Sequence, residues 1–128
     1  MFSTWARLER DCSELGNRFG LSLAVSPGFL TALGPGTIAE IVRQPTPPDT
    51  DRRIDLGLRI DIRDAVATIT APTLVVSGAH DFLVPGYQTR VLHELIPQRE
   101  YVELDAGHAA FLERPDDLVE LVRAFLFS

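Results

Sequence analysis

The sequence predicts an α/β fold: a short parallel sheet with flanking helices, preceded by a helical N-terminal segment. Three observations carry this. Leu74-Val75-Val76 is an unbroken apolar run closed by Ser77-Gly78, which suits a parallel strand covered on both faces. Between Tyr87 and Leu95 the apolar Val91, Leu92 and Leu95 fall at helical spacing, and Pro97 ends the helix. Glu100 to Leu104 then alternates as a second strand. Strand, helix and strand in that order make a right-handed crossover, with the two strands parallel and adjacent.

Taken from the start, Phe2, Trp5, Leu8, Cys12 and Leu15 recur at three and four residues with charges between them. That spacing predicts an amphipathic helix capped by Ser3 or Thr4 and ending near Gly16, its apolar stripe facing a partner surface. Trp5 on such a stripe reads as packing. Leu21 to Leu33 is ambiguous: Leu21 to Val25 reads either as a strand entering Ser26 or as part of a helical run in which Ser26 caps and Pro27 opens the next helix. A further helix is expected from Gly36 to Arg43. Residues 1–43 thus form a helical segment, and residues 44–61 a linker whose Pro- and Asp-rich start, Gln44 to Arg53, reads as exposed. Residues 62–128 form the α/β subdomain. Ala65, Val66 and Ile69 approach the first strand at helical spacing, and Pro72 fits a strand's first residue. Asp116 to Phe127 places Leu118, Leu121, Val122, Phe125 and Leu126 on one face, a terminal helix expected to pack on the sheet.

The chemistry lies at the strand ends. Gly78-Ala79-His80-Asp81 puts Asp81 just past the first strand and Gly107-His108 follows the second, at the edge where open α/β sheets gather their ligands. A carboxylate that accepts from one imidazole nitrogen fixes the tautomer, leaving the other nitrogen to take a proton from a hydroxyl or thiol. Taken alone, Asp81 is as well explained as a turn former using its side chain as a local acceptor. Glu113 reads as a structural acid near the start of the last helix, and His80 and His93 as surface or turn histidines. His80, Asp81, Asp105 and His108 match no familiar metal-ligand spacing, so no metal and no cofactor are expected.

Pro72, Thr73, Leu74, Val76, Gly78, Asp81, Val84 and Pro85, followed by Ala106, Gly107, His108, Glu113 and Pro115, resemble the C-terminal part of an α/β-hydrolase over Ile62 to Leu126. The resemblance implies that Asp81 is the triad acid and His108 the triad base, in the acid-then-histidine order of that family. It also makes residues 1–43 similar to the helical cap such hydrolases insert before the acid strand. The nucleophile it calls for has one candidate. Ala24-Val25-Ser26-Pro27-Gly28 has the small-x-Ser-x-small spacing of a strand-to-helix elbow and precedes Asp81 and His108 in the chain. Against Ser26 stands Pro27, which has no N–H for the oxyanion, a loss of roughly 3 kcal/mol in transition-state stabilisation.

The length of 128 residues allows one domain with a modest core, whereas a whole α/β-hydrolase needs roughly twice that. The fold is therefore expected to be partial. Its first strand would expose an apolar edge that recruits another chain, so a homo-oligomer, such as a homodimer about a two-fold axis, or a complementing chain bearing the nucleophile is expected. With 12 Lys+Arg against 18 Asp+Glu the net charge is −6, which argues against nucleic acid or an anionic membrane as partner. The lone Cys12 forms no internal disulfide, no stretch is apolar enough to span a bilayer, and no secretory leader is evident, so a cytoplasmic location is expected. Two function classes follow. One is hydrolysis of a small ester- or lactone-like substrate, with Asp81 and His108 acting on a nucleophile supplied by another segment or chain. The other is a non-catalytic binding or dimerisation module.

Overall fold

The computed structural model describes residues 1–127. They divide into two compact units: Met1–Ser22 with Pro27–Asp61, and Leu23–Ser26 with the residues from Ile62 onward.

The first unit is helical. The apolar spacing from Phe2 gives α1 (Phe2–Asp11), but the helix expected to reach Gly16 breaks at Cys12, which is extended at φ −159°, ψ 94°. Packing explains the break. α2 (Ser13–Ala24) folds back so closely that side chains at Gly16 and Gly20 would collide with Glu9 and with the Trp5 ring. Trp5 donates its indole N–H to Glu9 Oε1 at 2.9 Å, as a packing residue should. Leu21 to Ala24, one reading of which was a strand, is helical. α3 (Pro27–Val42) carries a kink at Gly34-Pro35. Residues 50–59, within the stretch read as linker, form α4 (Thr50–Arg59). This is the partner that the α1 stripe required, for α1 and α4 pack together with Ala6 and Ile54 buried. The Pro-rich residues 44–48 are the irregular part, held by Asn17, whose Nδ2 donates to Val42 O and Gln44 O at 3.0 and 2.9 Å.

The second unit holds the sheet. After the short α5 (Arg63–Val66), β1 (Thr73–Gly78) and β2 (Arg99–Leu104) pair in parallel, in register from Thr73 opposite Arg99 to Gly78 opposite Leu104. α6 (Gly86–Leu95) makes the crossover. Val66, Val75 and Ile96 form the core, with Ile69, Leu92, Leu95 and Tyr101 packed on it. Buried Ser77 is satisfied by Thr89, their hydroxyl oxygens 2.8 Å apart. α7 (Ala110–Glu113) and α8 (Pro115–Leu126) follow β2. α8 was expected to lie on the sheet, yet it buries none of its residues and packs chiefly on α7. Leu118, Leu121 and Phe125 are half-buried, and Val119, Val122 and Leu126 face outward. No helix among the described residues is long and apolar enough to cross a membrane.

Candidate active site

Equal register brings β1 and β2 to an end together at Gly78 and Leu104, so the turns that follow lie side by side. Backbone bonds join them: Ala79 N–H donates to Leu104 O at 2.8 Å and His80 N–H to Ala106 O at 2.9 Å. The approach is tight. A Cβ on Gly78 would stand 2.5 Å from Gly107 O and 2.7 Å from Ala106 O, closer than real contacts allow.

From these turns Asp81 and His108 meet, with His108 Nδ1 2.9 Å from Asp81 Oδ2. The other oxygen, Oδ1, accepts the N–H groups of Leu83 and Val84, each at 2.8 Å. The local turn bonds and the bond to His108 therefore coexist, one set on each oxygen. The Asp81 side chain is only 7% exposed, whereas that of His108 is 46% exposed. Three donors fix the carboxylate below the surface, and an acceptor at Nδ1 selects the tautomer with its proton there. Nε2 is then the basic nitrogen, and no described residue hydrogen-bonds it.

His80 and Asp105 form a second pair across the same two turns. His80 Nε2 lies 2.9 Å from Asp105 Oδ1, and Arg114 donates to Asp105 Oδ2 and to its carbonyl oxygen, both at 3.1 Å. His80 is thus a paired turn histidine, while His93 stacks edge-on against Tyr101 with centroids 5.5 Å apart. Among the described residues no three His, Cys, Asp or Glu side chains converge as metal ligands.

Ser26 lies elsewhere in chemical terms. It follows a helix, α2, and not the strand an elbow requires, and it is buried at 8% exposure. Its backbone N–H donates to Glu113 Oε1 at 2.9 Å, and the next residue, Pro27, has no N–H to offer. Glu113 is the residue whose part the sequence reading missed. The same Oε1 accepts the N–H of Gly107 at 2.9 Å, beside His108. Ala109 N–H donates to Ala24 O at 2.8 Å, and a Cβ on Gly107 would stand 2.7 Å from Ser26 N and Val25 C. The one available signal was the place of Glu113, five residues after His108 in the matched motif.

Comparison with known proteins agrees with this architecture. A pyrrolizixenacetamide deacetylase from Xenorhabdus hominickii is 31% identical over 99% of this chain and 49% of its own length. A pimeloyl-[acyl-carrier protein] methyl ester esterase from Aeromonas salmonicida is 35% identical over 67% of the chain and 35% of its own length. Among solved structures, an enol-lactonase from Burkholderia xenovorans superposes with a TM-score of 0.83 at 26% identity, over 100% of this chain and 50% of that one. The chain spans about half the length of these proteins or less. A family model described as alpha/beta hydrolase fold matches residues 19–115, and the chain belongs to that family.

Proposed function

We propose that this chain carries the acid and base of a serine-hydrolase-type triad acting on a small ester- or lactone-like substrate, with the nucleophilic serine carried by another segment or chain. The supporting observation is the pairing of a buried, three-times-bonded Asp81 carboxylate with a half-exposed His108. Asp81 Oδ2 holds the Nδ1 proton, and Nε2 takes the hydroxyl proton as the serine oxygen bonds to the substrate's acyl carbon. That proton then passes to the leaving alkoxide as its bond to carbon breaks. The resulting acyl ester is cleaved by a water that His108 deprotonates in the same way. The names of the relatives support this reaction class, since a deacetylase, a methyl ester esterase and an enol-lactonase all transfer acyl groups to water.

Three of the described serines, Ser22, Ser26 and Ser77, fit the nucleophile's part poorly. Ser77 is 1% exposed and bonded to Thr89, and Ser22 bonds back to Phe19 O within α2. Ser26 lacks both the strand before it and the donor after it. Among the described residues β1 pairs with β2 alone, so its other edge is the surface on which a strand of the complementing segment would add through main-chain bonds.

Labelling with a fluorophosphonate, which bonds covalently to activated serines, alongside the mass in solution, tests the proposal. The chain alone should stay unlabelled, and label should appear on the complementing segment once that is added, with turnover abolished by His108→Ala. Labelling of the chain alone that disappears in Ser26→Ala would make Ser26 the nucleophile and overturn it. An assembly that forms in His108→Ala and wild type alike but never turns over an ester would leave a binding module.

A further inference from the structure

We infer that Glu113 is a positioning residue for His108: one carboxylate oxygen pins the base-bearing turn to the Val25-Ser26 corner, and the alignment of His108 on Asp81 depends on that pin. The inference rests on the reading of His108 as general base. Two hydrogen bonds within the second unit hold residues 107 and 109, and a third ties Glu113 to Ser26. Glu113 Oε1 accepts from Gly107 N and from Ser26 N, both at 2.9 Å. Ala109 N donates to Ala24 O at 2.8 Å, which ties the far side of His108 to the same short segment. Val25 is 2% exposed, and its backbone lies so near Gly107 that any side chain there would collide with it.

His108 thus sits between two anchored neighbours. Among the described residues its imidazole hydrogen-bonds Asp81, and the ring is half exposed, so packing encloses only part of it. Order at the ring is borrowed from the backbone that carries it. Glu113 is suited to supply that order because an ionised carboxylate oxygen accepts two N–H bonds and holds both donors more strongly than a neutral acceptor would. The four residues 23–26 group with the second unit although the chain on either side belongs to the first. Their place there is explained if they serve as the fixed wall against which the histidine turn is set.

The test uses the 128-residue chain and its variants Glu113→Ala and Glu113→Gln. Two readouts are taken: the far-downfield proton resonance of an Nδ1–H held by a carboxylate, and amide hydrogen exchange at Gly107 and Ser26. In Glu113→Ala the resonance should broaden or vanish, and exchange at both amides should quicken by about tenfold or more. Glu113→Gln, whose amide oxygen accepts the same two bonds, should restore most of both. A Glu113→Ala chain with the resonance intact and exchange within about twofold of wild type overturns the inference. Should Glu113→Ala prove unfolded by circular dichroism, Glu113→Asp carries the test, since it keeps the charge but shortens the reach by one methylene. Unchanged protection there overturns the inference equally, and lost protection supports it. The two readings fail separately. A signature that moves with Glu113 in a chain that never assembles into a hydrolase leaves the positioning intact, whereas normal kcat in a complemented Glu113→Ala enzyme removes the positioning and keeps the hydrolase.

Discussion

Replacing Asp81 by Asn separates the two jobs that its carboxylate performs. Two amide donors, Leu83 N and Val84 N, converge on Oδ1 at 2.8 Å, so the Asn side chain must place its oxygen there and its NH2 toward His108. The turn survives, and the partner of Nδ1 becomes a donor where an acceptor stood. His108 is then expected to carry its proton on Nε2, the nitrogen that must be free to act as base. In a complemented enzyme that tautomer should lower kcat by about ten-thousandfold. Stability should change far less. The two turn bonds each lose about 1 kcal/mol of charge assistance, but the cost of holding a carboxylate at 7% exposure is relieved at the same time, leaving a net loss of about 1 kcal/mol. Asp81→Ala, which strands both half-buried amides, should cost about 3 kcal/mol. Nitrogen-15 NMR of the His108 ring reads the tautomer, and urea unfolding reads the stability. Retention of the Nδ1–H tautomer in Asp81→Asn would show that Asp81 does not orient His108. An Asn variant as unstable as the Ala variant would show that the two oxygens do not divide the work.

Three further outcomes follow from the packing of the second unit. Val75→Ala should cost about 2 kcal/mol, seen as a lower urea midpoint, because Val75 is buried between Val66 and Ile96 at the centre of the core. Gly78→Ala should cost about 3 kcal/mol, since the added methyl meets backbone oxygens at Ala106 and Gly107 that cannot swing aside; the shift of this turn should also remove the downfield imidazole proton. Asp105→Ala should cost less than about 1 kcal/mol and leave that resonance in place. Its carboxylate is 73% exposed and its partners His80 and Arg114 are about half exposed, so solvent screens the network.

The β1–α6–β2 unit and its Asp81–His108 pair were legible because each rests on a local signal. The Leu74-Val75-Val76 run, the 91, 92, 95 spacing and the topological rule that sets the strands side by side together dictate where residues 81 and 108 emerge. The helical segment was harder. A five-residue stretch such as Leu21 to Val25, apolar except for Ser22, is too short to show a period of its own, and what makes it helical is the fit of Gly16 and Gly20 against Glu9 and Trp5, a long-range fact. The break at Cys12 serves the same fit. α4 was hidden by its charge, since Thr50–Arg59 carries five charged side chains around a single buried residue, Ile54, and the prolines before it drew attention to the turn. Glu113 was legible as a position and not as a role, because its partners Ser26 N and Gly107 N are backbone groups, and any residue except proline could supply them.

The Asp81–His108 pairing forms within a chain matching only half the length of its relatives. Every bond that orients Asp81 comes from within five residues of it or from His108, and the turn that carries His108 is held by residues 23–26, 78–80 and 113. None of these contacts calls on a third strand. On the proposed reading, acid and base are a local property of two strand ends and their clasp, and the nucleophile and its oxyanion donors would belong to a different turn and have to be brought to them. If that division is right, the His108 tautomer should be the same in the isolated chain and in any assembly that restores turnover. A ring that gains its Nδ1 proton only on assembly would mean that the complementing segment builds the base as well as supplying the serine.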